Sequence, residues 1–229
     1  MVAMLTQELS LDSTWADLTF TEARLLGDAN AKELAPAFTE LRQRVEIVRS
    51  GQRDIWRDEV VAQAAVNAAD DALDDCVHDL DVALMHIVSG DTTAPRYRRY
   101  FPVAPSSIIR MGLESELGRV RAWVDSLMSE SEEALKALGA RLHTVVALGG
   151  AALESRRKAG AQRSDHRVRS IAVLIDDINN ARLSLYGTLA RKAAELRLPR
   201  NWPDRFFQYS SRTVTADAQP APQAQVAAG

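Results

Sequence analysis

One cysteine, Cys76, stands in a chain of 229 residues. A lone thiol closes no intramolecular disulfide and cannot build a structural zinc site on thiolates. It fits a reducing compartment, and we read the chain as cytoplasmic. Aromatic residues make up only 6%, so the core must be mostly aliphatic. The four histidines, His78, His86, His143 and His166, are scattered, and with Cys76 they suggest no catalytic triad or activated thiol. Lysine is nearly missing: four lysines stand beside 24 arginines. No stretch approaches the ~20 apolar residues that span a bilayer. Met1 to Thr14 lacks the basic region and apolar run of a secretory signal. No internal repeat is found, and no alternating run is long enough for a sheet. What remains, at 46% hydrophobic and 26% charged, is an ordinary globular composition for one or two domains.

What is present is helical. From Phe38 to Ile87 one stripe runs in alternating steps of three and four through Leu41, Val45, Val48, Gln52, Ile55, Glu59, Ala62, Val66, Ala69, Leu73, Cys76, Leu80 and Ala83. Only Gln52 and Glu59 are polar. This spacing is that of a helix burying one narrow seam against other helices. Pro36 suits its first turn, and Gly51 is the one internal glycine and the expected kink or break. About 50 residues of unbroken helix would make a rod of roughly 75 Å, which favours an elongated molecule. The two polar interruptions either set register and partner choice or mark where the helix leaves the bundle.

Before this helix, residues 1–35 read as an irregular arm with one short helix near Asp17 to Leu26. After it, residues 90–105 read as a loop. A second helix is expected from Ser106 or Ser107, with Leu113, Leu117, Val120, Val124 and Leu127 inside. Ser129 with Glu132 reads as a capping box opening a third helix over Leu135, Leu138, Leu142, Val145, Gly149 and Ala152. The polar stretch from Gly160 to Asp165 is expected to turn the chain. A fourth helix then carries Ile171, Ile175, Ile178, Leu185, Leu189 and Leu196 as far as Pro199. Trp202, Phe206, Phe207 and Tyr209 belong to a short closing helix, and 211–229 has the composition of a disordered tail. The fold expected is all-α: an elongated four-helix bundle domain over 36–210 with a very long first helix and coiled-coil-like packing. Trp15, Trp56, Trp123 and Trp202 are separate, as packing anchors would be.

The sharpest chemical candidate is the aspartate run Asp70, Asp71, Asp74, Asp75, Asp79 and Asp81. Carboxylates four apart share a helix face and can hold Mg²⁺ bridged to a diphosphate. Asp70-Asp71-Ala72-Leu73-Asp74 is similar to the DDxxD string of isoprenoid and terpene synthases. That resemblance implies a metal site at Asp70, Asp71 and Asp74, and Asn180 and Ser184 echo part of the second metal motif of terpene synthases. Thr188 stands where that motif has an acid. The match covers a few residues and assigns no family. A solvated acidic face is the simpler reading. Asp75 and His78 form half of a di-iron pattern whose second half is absent. We therefore assign no catalytic, cofactor or metal residues.

The charge is segregated. Residues 1–130 carry a balance of −9 and residues 131–229 a balance of +6, which can attract within one molecule or between neighbours. Two basic groups are candidates for a polyanion or an acidic partner. The first is Arg156, Arg157, Lys158, Arg163, Arg167 and Arg169, placed at the expected turn. It contains no stacking aromatic, and its simpler reading is pairing with the aspartate face. The second is Arg96, Arg98 and Arg99, interleaved with Tyr97, Tyr100 and Phe101, whose aromatics can instead pack down on a bundle end while the arginines stay wet. Together these features point to a non-enzymatic structural or interaction protein, self-assembling or part of a larger complex. A polyanion-binding helical module and a Mg²⁺-dependent enzyme on a diphosphate substrate are the two rivals.

Overall fold

The computed structural model describes residues 4–6 and 9–208, and within them every regular element is a helix. The chain is all-α, and among the described residues no helix is long and apolar enough to cross a membrane. The stretch expected to be a disordered tail, 211–229, and Tyr209 lie outside the described residues. The helices are α1 (Leu11–Leu26), α2 (Ala35–Ile87), α3 (Pro95–Tyr100), α4 (Pro105–Ile109), α5 (Leu113–Val120), α6 (Trp123–Met128), α7 (Glu133–Asp165) and α8 (Val173–Glu195). A π-helical segment, His166–Ala172, lies between α7 and α8, and short 3-10 turns occupy Lys32–Leu34 and Pro203–Phe206. The contacts divide into two compact units, one within Met1–Glu46 and Leu174–Gly229, the other Ile47–Val173.

In the first unit α1 is longer than its sequence suggests. It buries Leu11, Thr14, Leu18, Thr21 and Leu25, again in steps of three and four. Threonine at two of these five positions hides the stripe from a hydrophobic count. Ser10 caps the helix, its Oγ accepting the Ser13 N–H at 3.1 Å. The rest of this core comes from Phe38, Leu41 and Val45 of α2, from Ile175, Ile178, Leu185 and Leu189 of α8, and from Trp202, Phe206 and Phe207. Polar side chains tie the loops down. Buried Asn179 accepts the Leu5 N–H at 2.8 Å and donates to the Leu5 carbonyl at 3.0 Å. The Trp202 indole donates to Asp28 at 2.9 Å, and Arg42 pairs with Glu22 at 2.7 Å. Arg182, fully buried, lies 5.3 Å over the Phe207 ring.

In the second unit the later half of α2 buries Ala62, Val66, Ala69, Leu73, Cys76 and Leu80, as its seam requires, with Val77 and Leu84 added. Burial holds the Cys76 thiol above its ordinary pKa, so it stays neutral. The helix passes Gly51 without the break that was one of its two expected outcomes. Ser89 and Gly90, at φ +52° and +84°, turn the chain after α2. What was expected as one loop and one second helix is four short helices. Pro95 and Pro105 each open one, and Gly112, at φ +75°, separates α4 from α5. The capping box at Ser129 does not form, because the Ser129 hydroxyl donates to the Asp125 carbonyl instead and α7 starts uncapped at Glu133. Nor does the chain turn at Gly160 to Asp165. The polar stretch is the last part of α7, which continues directly into the π segment at His166.

Two glycines of α7 permit close approach. A β-carbon at Gly139 would stand 2.9 Å from Leu127 Cβ and 3.1 Å from the Met128 backbone nitrogen, and one at Gly149 would stand 2.9 Å from Leu117 Cδ1. Gly150, by contrast, faces open space. Gly139→Ala should therefore destabilise the protein by about 1–3 kcal/mol through overpacking. Gly150→Ala should stabilise it by about 0.5–1 kcal/mol through helix propensity alone. Urea denaturation of the two variants checks both, and equal effects would contradict the packing described here.

Candidate functional site

The Arg96 segment is part of the packed body. Phe101 and Trp123 lie edge to face at 5.4 Å, Tyr97 and Phe101 at 5.3 Å, and all three rings are buried. The Tyr97 hydroxyl donates to Asp81 at 2.7 Å and that of Tyr100 to Glu130 at 2.8 Å. Burial, reinforced by Asp81, pushes the Tyr97 hydroxyl up to about 12. Arg96 is gripped by Glu130 at 2.6 Å and by both carboxylate oxygens of Glu132. This contact pulls Glu132 down to about 2 and raises Arg96 further, so the pair stays charged at any ordinary pH. Arg98 donates to the Pro102 carbonyl, and Arg99 reaches Glu130 only at 3.5 Å. The rings pack down and Arg98 and Arg99 remain exposed, but Arg96 is committed to internal carboxylates.

The second basic group does not gather at a turn. Arg156, Arg157, Lys158 and Arg163 lie on α7, and Arg167 and Arg169 on the π segment, all exposed. At about 100° per residue, Arg156 and Arg163 share a face while Arg157 and Lys158 point elsewhere. Two of their carboxylates are local, Glu154 for Arg157 at 2.9 Å and Asp165 for Arg169 at 2.6 Å, and the third is Glu59 of α2 for Arg163 at 3.4 Å. The expected pairing with the aspartate run is not made. Arg156, Lys158 and Arg167 form no ion pair among the described residues.

These arginines border an exposed apolar stretch. Between Val45 and Ala62 α2 buries no side chain, and neither does the chain between Ala159 and Leu174. The two stretches run together, as Glu59 meets Arg163 and Gly51 lies against the His166 ring. Val48 and Ile55 are only half-buried, and Gln52 is exposed. The seam is polar at Gln52 and Glu59 because a full bundle does not cover it there. Trp56, expected as a packing anchor, is 67% exposed, and Ile47, Val60, Val61, Val168 and Val173 are exposed with it.

The aspartate run is divided by helix geometry. Asp79 pairs with Arg141 and Asp81 with Tyr97. Asp71, Asp75 and His78 are exposed, whereas Asp70 and Asp74 are half-buried and turn inward. They face Glu116 of α5, which is fully buried and has no formed hydrogen bond to either carboxylate oxygen. One oxygen each of Asp70 and Asp74 is likewise buried and unsatisfied. Burial first, then the charges of Asp74 and Asp70, push the Glu116 carboxyl up to about 8. Burial and the neighbouring Asp70 raise Asp74 as well. Glu116 escaped the sequence reading, although it follows Leu113 by three and precedes Val120 by four on the same seam. The DDxxD string is thus split between two faces, with Asp71 exposed and Asp70 and Asp74 turned inward. Asn180 and Ser184 are exposed on α8 in the other unit. Among the described residues no group of three His, Cys, Asp or Glu side chains is arranged to hold a metal ion.

No family model matches the chain, and neither a curated protein nor a solved structure matches it. Its residues carry the functional argument alone. Within the Arg96 cluster, Arg96→Ala should cost about 1–2 kcal/mol, the value of charge-assisted bonds in a partly buried setting. Arg99→Ala should stay within about 0.5 kcal/mol. Urea midpoints measured side by side check the contrast, which fails if the two variants are equally stable.

Proposed function

We propose that this chain is a non-enzymatic, cytoplasmic interaction protein that self-associates through the two-helix stretch bearing Trp56. The observation that carries the proposal is the exposure of Trp56, Val60 and Val61 on a helix whose seam is covered on both sides of them but not between. Exposed apolar side chains grouped this way mark an interaction surface. The charges support a second copy as the occupant. Residues 156–173 hold six basic side chains against the single acid Asp165, while Asp71 and Asp75 are exposed on α2 and form no ion pair among the described residues. One copy therefore offers both the basic stretch and an acidic face for it.

Light scattering should find an oligomer that dissociates as salt rises from low to about molar concentration, since exposed charges are screened at that range. Val61→Asp with Trp56→Ala should yield a folded monomer. A strict monomer at every protein concentration and salt would overturn the proposal. Polyanion binding is the second reading, favoured by one observation: Trp56 supplies the exposed aromatic that the basic group lacks in sequence. It requires retention on heparin at low salt, lost in Arg156→Ala/Arg167→Ala.

A further inference from the structure

A buried carboxyl with no partner is among the costliest groups a core can hold, and a protein relieves the cost by keeping it neutral. Glu116 is fully buried with no donor reaching its oxygens, and the groups it meets are two more carboxyls on another helix, Asp74 within hydrogen-bonding reach and Asp70 beside it. The surrounding elements bring it no compensating cation. Toward α5, α7 presents Gly149, which lies against Leu113 and Leu117, and α6 contributes buried Val124 and Leu127. From α2 come only Asp70 and Asp74, with Asp71 and Asp75 acting on Asp74 from outside. No arginine, lysine or histidine acts on Glu116.

We propose that Asp70, Asp74 and Glu116 form a proton-dependent latch between α2 and α5: neutral Glu116 donates its proton toward the Asp74 carboxylate, and losing that proton sets three like charges against one another and opens the contact. The segment it holds is short: α5 is an eight-residue helix preceded by the left-handed Gly112. The direction of the pH effect follows from linkage. The folded state keeps the Glu116 proton up to about pH 8, whereas an unfolded glutamate releases it near 4.5. The latch therefore contributes fully below about pH 4.5, and stability falls as pH rises from there through about 8. Asp74, raised in the same direction, adds to the loss at lower pH.

The test is urea denaturation of the whole chain between pH 6.5 and 9, with Glu116→Gln as the permanently neutral form. The wild-type unfolding constant should rise on the order of tenfold over this range, and that of Glu116→Gln should stay nearly flat. A wild-type constant that does not change, or a parallel rise in both proteins, would overturn the latch. Should Glu116→Gln not fold, the carboxyl carbon of Glu116 followed by NMR in the wild type decides: titration near 8 supports the latch and titration near 4.5 overturns it. Addition of Mg²⁺ or Mn²⁺ at pH 8 is the last arm. Stabilisation by either ion that Glu116→Gln abolishes would mean that a cation, not a proton, relieves the three carboxyls.

Discussion

Everything in this protein depends on how the seam of α2 is covered. A helix with one apolar stripe gains stability only where other side chains exclude water from it. Over Phe38 to Val45 that cover includes α1 and α8, and from Ala62 onward it includes α5, α6 and α7. Between Val45 and Ala62 the stripe lies against a single further helical stretch and stays half wet. The polar residues Gln52 and Glu59 sit there, where their solvation is not lost, and so do the exposed Trp56, Val60 and Val61. The interval is thus where α2 leaves the largest share of its apolar stripe exposed.

Charge is managed locally. Arg96, Arg141, Arg163 and Arg169 each find a carboxylate within a turn or across one helix contact, so the opposite signs of the two halves of the chain are only partly used up internally. Arg156, Lys158 and Arg167 on one side, and Asp71 and Asp75 on the other, are left to solvent or to a neighbour. Exposed charges of this kind add little to folding but steer and select partners. The Glu116 cluster is the opposite case. Three carboxyls of one sign meet where water is excluded, so the balance between burial and repulsion falls on a proton.

Much of the helical content could be read from spacing because three-and-four periodicity survives without knowledge of neighbours. This holds for α2, for the Leu135 to Ala152 face of α7 and for the Ile175 to Leu189 face of α8. Failures came where a local rule competed with context. Thr14 and Thr21 occupy core positions of α1 and broke its apolar count. Pro95 opens a helix inside the expected loop, and Gly112 separates the start of the expected second helix from the rest of it. The polar run before Asp165 looked like a turn but continues α7, and the π segment begins only after it at His166. Among candidate residues, proximity in sequence could say neither that Arg157 and Lys158 point away from the face of Arg156 and Arg163 nor that Arg96 was already bound by Glu130 and Glu132.

The sequence alone determined the class of structure, the single thiol and its place on a buried seam, and the segregation of charge, because composition and helical period are properties of the chain itself. Only the tertiary structure decided which stretch of the α2 seam stays uncovered, that Trp56 faces water, and that Asp70 and Asp74 turn away from Asp71 toward Glu116. Those facts depend on residues from about 40 to more than 100 positions apart meeting across helices, and no local pattern records which faces will be brought together.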